Sequence, residues 1–548
     1  MFKDNRTGQA RMRLPAERRR IAPLLLVLGI AAVAATAHPS GTLAQATEGG
    51  AKPPTLWTDP KTDQVFTKPG PGRVPFNPGA APSNEPSTSQ ISGLQQETQD
   101  IKEQLKALTN KDGIQYGGVN VKLGGFIESA GIYRTRNQVS DVGSDYNQGI
   151  PFNNNPLAHE NETRFSARQS RLSLLVTGNV NPETHLGAYY EMDFLSSGTN
   201  SNSRESNSYT PRSRQLYATL DKDNWGLHVL AGQAWSLLTT NTVGIIPRKE
   251  QIPLTIDAQY VEGFNWLRVP QFRVVEDFGY GLWAGLSAES PQMVTSPITA
   301  PSSGNFSNPG DSAGLLNNTT TYSNDYIPDF DGKVAVDPGF GHYELKTLLR
   351  TFTAREGGAN RNATGYGVGG AAAMPIVAGL VDLQLSGLYG YGIGRYGSGQ
   401  LPDAAFKADN VNLAAVPEAQ GLLGIIGHPW AGNDLYFYAG WEHADRAGTP
   451  AILVNSMGQF VGASGYGSPN LNVSGCNQLS GTCQAETRDL QQITAGFWQD
   501  IYKGSFGRFV GGFEGGQIWR TGFTGTGGPT PRTNIAIFMT SLRYYPFS

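Results

Sequence analysis

The chain has 548 residues, 45 acidic and 42 basic side chains, a net charge of −3 and only 16% charged residues, against about 25% in ordinary soluble domains. Hydrophobic residues are also scarce at 39%, yet aromatics reach 10% and there are 69 Gly and 34 Pro, which excludes a disordered chain poor in aromatics and a charge-rich soluble domain. What remains is a glycine-rich, aromatic-rich and weakly charged protein.

The first twenty residues carry Lys3, Arg6, Arg11, Arg13, Arg18, Arg19 and Arg20 against Asp4 and Glu17. An apolar run from Ile21 to Ala37 follows, with small-x-small sites at Ala35-Thr36-Ala37 and Ala44-Gln45-Ala46. This order makes 1–46 a secretory signal peptide, cut after Ala37 or Ala46, with a short inner-membrane anchor as the competing reading. Its removal leaves −8 on residues 47–548. That acidic remainder has no Lys/Arg clusters, so nucleic acid is excluded as a partner, because its binding depends on neutralising phosphates. No later stretch approaches 18 consecutive apolar residues; a membrane role therefore requires a barrel.

Residues 51–90 hold nine prolines from Pro53 to Pro86, which reads 47–90 as an extended linker. Then Ile91, Leu94, Thr98, Ile101, Leu105 and Leu108 recur at spacings of three and four, the seam of a short coiled coil over 91–112 that self-associates. A single amphipathic helix is the alternative, because so short a coil is marginal alone.

From Val119 the period becomes two. Ser170, Leu172, Leu174 and Val176 alternate with Gln169, Arg171 and Ser173, and Leu186, Ala188, Tyr190, Met192 and Phe194 alternate with Gly187, Tyr189, Glu191 and Asp193. The pattern recurs in 225–237, 280–289, 342–352, 381–389, 435–442, 490–500 and 533–547. Long connections fall near 135–163, 196–211, 238–258, 291–328, 355–363, 394–415, 445–488 and 520–532. Short ones fall near 179–184, 221–224, 270–279, 337–341, 374–379, 428–434 and 502–505. Eight long and seven short connections make 119–548 an all-β, antiparallel transmembrane β-barrel of about sixteen strands, with both ends on the short-turn side. Shorter strands and a fixed repeat period would mark a soluble sandwich or propeller instead. Eight tryptophans, Trp225, Trp235, Trp266, Trp283, Trp430, Trp441, Trp498 and Trp519, lie in or near strands, as interfacial girdles or strand-borne core aromatics would place them.

Cys476 and Cys483 lie in a Gly/Ser/Asn-rich segment without a nearby His, which favours a small disulfide loop over a metal pair. Gly310-Asp311-Ser312-Ala313-Gly314 fits the nucleophile-elbow spacing, but no strand-to-helix turn surrounds it. Gly365-x-Gly367-x-x-Gly370 and Gly392-x-Gly394-x-x-Gly397 open no βαβ helix. No catalytic set, metal site or cofactor is expected. The candidate pore-lining charges, opposite the apolar strand faces, are Arg171, Glu191, Asp193, Lys333, Glu344, Lys346, Arg350, Asp382, Glu442, Arg508 and Glu514. Most are expected to solvate the wall, and the segment 291–328, with Asp311 and Asp325, is the candidate constricting loop.

The order of signal peptide, coil and barrel, with Arg168-Gln169-Ser170-Arg171-Leu172, Ala231-Gly232-Gln233-Ala234-Trp235, Pro328-Asp329 and Gly392-Ile393-Gly394-Arg395-Tyr396, resembles the DcaP-like porins of Gram-negative outer membranes. The resemblance spans about 91–548 and implies a homotrimer in outer-membrane lipid, with its N-terminal helices in the periplasm. It also implies passive diffusion of small hydrophilic solutes, dicarboxylates and other small anions among them. The −8 balance and the mixed inward charges argue against assuming an anion pore. An adhesin or structural barrel and a barrel-embedded hydrolase are the competing functions.

Overall fold

The computed structural model describes residues 56–61, 64–75, 113–196, 210–296, 307–309, 321–356, 358–409, 411–454, 457 and 460–548. Contacts divide the chain into two units, Met1–Ser92 and Gly93–Ser548. The signal peptide 1–46 and the seam from Ile91 to Leu108 lie outside the described residues.

In the first unit, Trp57–Thr58 is the centre of a small antiparallel sheet between Val65–Phe66 and Val74–Pro75. Arg73 lies over the Phe66 ring at 3.4 Å. The Pro-rich stretch, expected to be wholly extended linker, therefore contains folded structure. Pro75 tolerates this place because it sits in an edge strand, where its missing N–H leaves no ladder bond unmade.

The second unit is a closed antiparallel barrel. Its strands are β1 (Val119–Arg134), β2 (Glu162–Ser166 continued by Arg171–Asn181), β3 (Thr184–Asp193), β4 (Arg212–Lys222), β5 (Leu227–Trp235), β6 (Arg268–Asp277), β7 (Leu282–Glu289) and β8 (Asp329–Val336). The circuit continues through β9 (His342–Glu356), β10 (Ala359–Val377), β11 (Val381–Tyr391), β12 (Pro417–Gly427), β13 (Asn433–Ala444), β14 (Thr487–Gly504), β15 (Gly507–Gly522) and β16 (Arg532–Tyr545). Pairing of Ile537–Tyr544 with Arg134–Ile127 closes it. Both halves of β2 pair with β1, so the interruption at 167–170 is a break within one barrel strand. Among the described residues there is no α-helix, only three 3-10 turns.

The barrel is apolar outside and charged inside. Leu172, Leu216, Leu286, Leu345, Tyr389 and Phe437 are exposed, whereas Asp193, Lys333, Lys346, Arg350, Glu442 and Glu514 are buried. Strand alternation alone produces this, since neighbouring side chains point to opposite faces. At the short-turn rim Trp225, Tyr280, Phe340, Trp430 and Phe506 are exposed. Trp441 and Trp519 also face outward, but Trp235, Trp283 and Trp498 are buried inside. The tryptophans are thus divided between rim and interior.

Two boundaries depart from the sequence reading. The predicted connections 238–258 and 270–279 place the sixth strand over 259–269, but it runs over Arg268–Asp277. Pro270 suggests a turn; instead its carbonyl accepts the Ser290 N–H, and pairing with β7 begins one residue later at Gln271. Its missing N–H thus falls just beyond that ladder. The predicted long loop 355–363 is also strand, because β9 and β10 stay paired from Thr353↔Asn362 to Glu356↔Ala359. In the connection 445–486, Cys476 and Cys483 are disulfide-bonded with Cα atoms 4.7 Å apart.

Candidate functional site

The connection 236–267 between β5 and β6 folds into the barrel. A buried loop must satisfy its own backbone, and the wall supplies the partners. The N–H groups of Leu237, Asn241, Ile256 and Gly263 donate to Glu289, Glu344, Glu514 and Glu442 at 2.9, 2.7, 2.6 and 2.9 Å. In the opposite sense, Lys333 Nζ donates to the Thr239 carbonyl and Lys346 Nζ to that of Leu238, both at 2.7 Å. Leu238, Ile256, Val261 and Phe264 add apolar burial. Wall and loop approach so closely that a Cβ on Gly440 would stand 1.9 Å from the Glu262 carbonyl oxygen.

Among the described residues it is segment 236–267 that crosses the interior; most of the candidate loop 291–328, Asp311 included, lies outside them, and its Asp325 accepts the Thr353 N–H at 2.6 Å beside β9. Burial pushes the Asp325 carboxyl up to about 6. Two other connections meet the clamped loop: the Tyr146 hydroxyl donates to the Tyr260 carbonyl at 2.8 Å, and the Ser398 hydroxyl to that of Val261 at 2.6 Å.

The eleven candidate charges therefore have distinct surroundings. Lys333, Glu344, Lys346, Glu442 and Glu514 hold the loop. Arg350 joins Asp329 at 3.0 Å and Asp403 at 2.5 Å, and donates to the Gly392 carbonyl. Glu191 and Asp193 take Arg214, at 2.7 and 2.9 Å, and Asp193 also takes Arg212. Asp382 meets His428 at 3.2 Å and Arg508 meets Asp500 on the short-turn side. Arg171 alone among the eleven makes no hydrogen bond or ion pair with the described residues; its guanidinium lies over Phe126 at 5.4 Å, with Nε buried and unpartnered.

A second such arginine escaped the sequence reading. Arg268 lies over Trp235 at 4.4 Å, with Nη1 buried and without a partner. It is the first residue of β6, at the loop end of the strand, where the alternation gave no signal for it. Tyr260 lies between these arginines. Its φ is +68°, strained for a non-glycine residue, and its hydroxyl accepts from Arg214 Nη2 at 3.2 Å. Burial opposes ionisation of the phenol, but Arg214, Arg171 and Arg268 outweigh burial and bring it down to about 7. Two residues on, Glu262 is fully buried with both carboxylate oxygens unpartnered. Burial and then the Glu442 carboxylate push Glu262 well above the usual carboxylate range. One loop thus carries a strongly positive spot and, two residues on, a buried acid whose ionisation its surroundings oppose. Beside the positive spot is a cavity of about 220 Å³ lined by Gln169, Arg171, Tyr260, Trp498 and Arg543 among others.

The Gly310–Gly314 segment lies outside the described residues, Gly365, Gly367 and Gly370 are strand residues of β10, and among the described residues no three His, Cys, Asp or Glu converge as metal ligands.

No protein-family model and no curated protein matches the sequence. Among solved structures, the chain is similar to the outer membrane channel DcaP of Acinetobacter baumannii, with 18% identity, a TM-score of 0.54, and coverage of 79% of this chain and 99% of that one. OprB of Pseudomonas putida matches at 11% identity and a TM-score of 0.44 over 81% and 97% of the two chains. The anion-selective porin from Comamonas acidovorans matches at 12% and 0.41 over 78% and 99%. At 18% identity, the first likeness establishes a shared barrel fold.

Proposed function

We propose that this protein is an outer-membrane channel through which small hydrophilic solutes diffuse passively, with anions favoured at the constriction. The observation that carries the reading is a closed barrel, apolar outside and charged inside, narrowed by a clamped loop beside two arginines that make no ion pair with the described residues. A guanidinium already paired with a carboxylate offers a solute little; an unpaired one binds carboxylates with charge-assisted hydrogen bonds. Arg171, Arg268 and the Tyr260 phenol are the residues assigned to solute contact, with dicarboxylates as the favoured class.

In the assembled form, three copies sit side by side in outer-membrane lipid, with the 91–112 helices bundled in the periplasm after removal of the signal peptide. Deleting 91–110 should weaken trimers on a semi-native gel; unchanged trimers would assign assembly to the barrel wall alone.

The deciding measurement is single-channel recording in planar bilayers. Stepwise open currents are expected, with a reversal potential in a salt gradient that indicates anion preference. A closed barrel without current would overturn the channel reading, and a cation preference would overturn the assignment to the arginines. Liposome swelling with anionic, neutral and cationic solutes of graded size then ranks the substrates.

A further inference from the structure

On the short-turn half of the barrel, beneath the clamped loop, lies a second cavity of about 330 Å³ that neither Arg171, Arg268 nor Tyr260 lines. Its wall comes from β2 to β5 and its roof from residues 245–248. The centre is aromatic and apolar: the Tyr189 and Tyr217 rings lie 5.6 Å apart, with Leu175 and Ile245 nearby. Tyr217 is buried to 5% exposure, and its phenol oxygen faces the Arg248 guanidinium.

The two ends of this cavity differ chemically. At the loop end, the exposed Arg248 places its guanidinium over Tyr189 at 5.8 Å and beside the Tyr217 phenol, and makes no ion pair with the described residues. Its φ is +67°, a strained backbone for a non-glycine residue, as at ligand clamps. At the turn end, Asn179, His185, Asp221 and His228 are cross-strand partners in one row over β2 to β5. Here the charges are already matched: His228 Nδ1 meets Asp221 at 2.7 Å, and His185 Nε2 meets Asp223 at 3.0 Å. Tyr217 and Asp221 are four residues apart on β4, about 13 Å along the strand.

A cation without a carboxylate partner among the described residues, an aromatic middle and an imidazole–carboxylate row at that distance complement one kind of molecule. We infer that this cavity is a binding site for a ring-bearing hydroxy acid. The carboxylate meets Arg248, the ring lies against Tyr189 and Tyr217, and the far hydroxyl hydrogen-bonds the Asp221–His228 pair. A short dicarboxylate lacks the ring, and a neutral sugar leaves Arg248 unmatched. The inference goes beyond the channel reading, adding a second site with its own solute class to the one assigned to dicarboxylates at the constriction, and binding itself does not require conduction.

The test is calorimetric titration of the full chain in detergent with 4-hydroxybenzoate, benzoate and succinate, alongside saturation-transfer NMR on the ring protons. We expect 4-hydroxybenzoate to bind with ring saturation, and benzoate to bind several-fold more weakly for want of the hydroxyl. Arg248→Gln, a change at an exposed loop residue, should weaken 4-hydroxybenzoate about tenfold through loss of the charge-assisted contact and leave succinate unaffected. Tyr217→Phe should cost a smaller factor. Absent binding of 4-hydroxybenzoate, or equal affinity in the native chain and both variants, would overturn the site. Conductance without this binding defeats the site alone, whereas binding without conductance defeats the channel reading and leaves the site standing.

Discussion

The arc of wall from β12 to β15 and the arc from β2 to β6 lie on opposite sides of the same folded-in loop, and they treat charge in opposite ways. On the first, Glu418, Glu442 and Glu514 have no ion-pair partner among the described residues; they accept backbone N–H groups of Ile393, Gly263, Gly399 and Ile256. On the second, Arg212 and Arg214 are paired with Glu191 and Asp193, while Arg171 and Arg268 are left over. The acids are spent on holding loops, whereas the spare bases make no ion pair among the described residues. Net charge, −8 over residues 47–548, is therefore a poor guide to what a solute meets.

The clamp gives the largest effect. Glu442 accepts two backbone N–H groups and the Ser398 hydroxyl at 2.9, 3.0 and 3.3 Å. Glu442→Leu leaves the two backbone N–H groups buried without a partner, at about 1–3 kcal/mol each, while the Ser398 hydroxyl keeps the Val261 carbonyl. A lower thermal transition in detergent and larger, noisier single-channel currents are expected as the loop lifts; a native melt and native currents would show that the carboxylates do not clamp it. The arginine arc comes next. Arg171→Glu with Arg268→Glu replaces two unmatched cations by anions at the narrowing, which should shift anion-to-cation permeability by about tenfold, the equivalent of 1.4 kcal/mol. An unchanged reversal potential would place selectivity elsewhere.

The contrast between the arcs was partly legible beforehand. The period-two pattern with alternating long and short connections establishes a sixteen-strand barrel, because a wall between lipid and water imposes that pattern on each strand. It also puts Arg171, Lys333, Glu344, Glu442 and Glu514 on the polar face. It does not say which of these a loop will occupy, since that depends on contacts such as Asn241 with Glu344, 103 residues apart in sequence. Loop 236–267 looked no different from its neighbours because its buried residues, Leu238, Ile256 and Phe264 among them, follow no period. Arg268 and Tyr260 were missed for the same reason. The motifs Arg168–Leu172, Pro328-Asp329 and Gly392–Tyr396, in contrast, fall around the interior, where the Tyr396 hydroxyl donates to Asp329 at 3.1 Å.

A smaller effect tests the positive spot by pH. With its phenol brought down to about 7, Tyr260 is neutral below that pH and anionic above it. The facing groups, Arg214 on β4, Arg171 on β2 and Arg268 on β6, stay charged throughout. Anion preference should therefore fall by about two- to threefold as pH rises from 6 to 8, one charge being cancelled near the three guanidiniums. Tyr260→Phe should remove the step and keep the preference seen at pH 6. A step that persists in the variant would assign the titration to another group.

The smallest effect belongs to the buried acid and has the opposite sense. Burial and the Glu442 carboxylate hold Glu262 well above its unfolded value, so between the two values the folded chain binds a proton that the unfolded chain has released. Folding then loses stability with rising pH from the unfolded value to the folded one, because the unfolded state gains from ionisation that the folded state forgoes. Glu262→Gln keeps the shape and the neutral form and removes this dependence. Its melting transition at neutral pH should lie slightly above the native one, and the gap should widen as pH rises from 5 to 8. The backbone N–H of Glu262 still donates to Gln492 in the variant, since that bond does not involve the side chain, so the clamp and the conductance should be native. A variant that melts lower at every pH would mean that Glu262 is ionised in place and held by its surroundings, and the carboxylate arc would then contain a charge spent on something other than backbone.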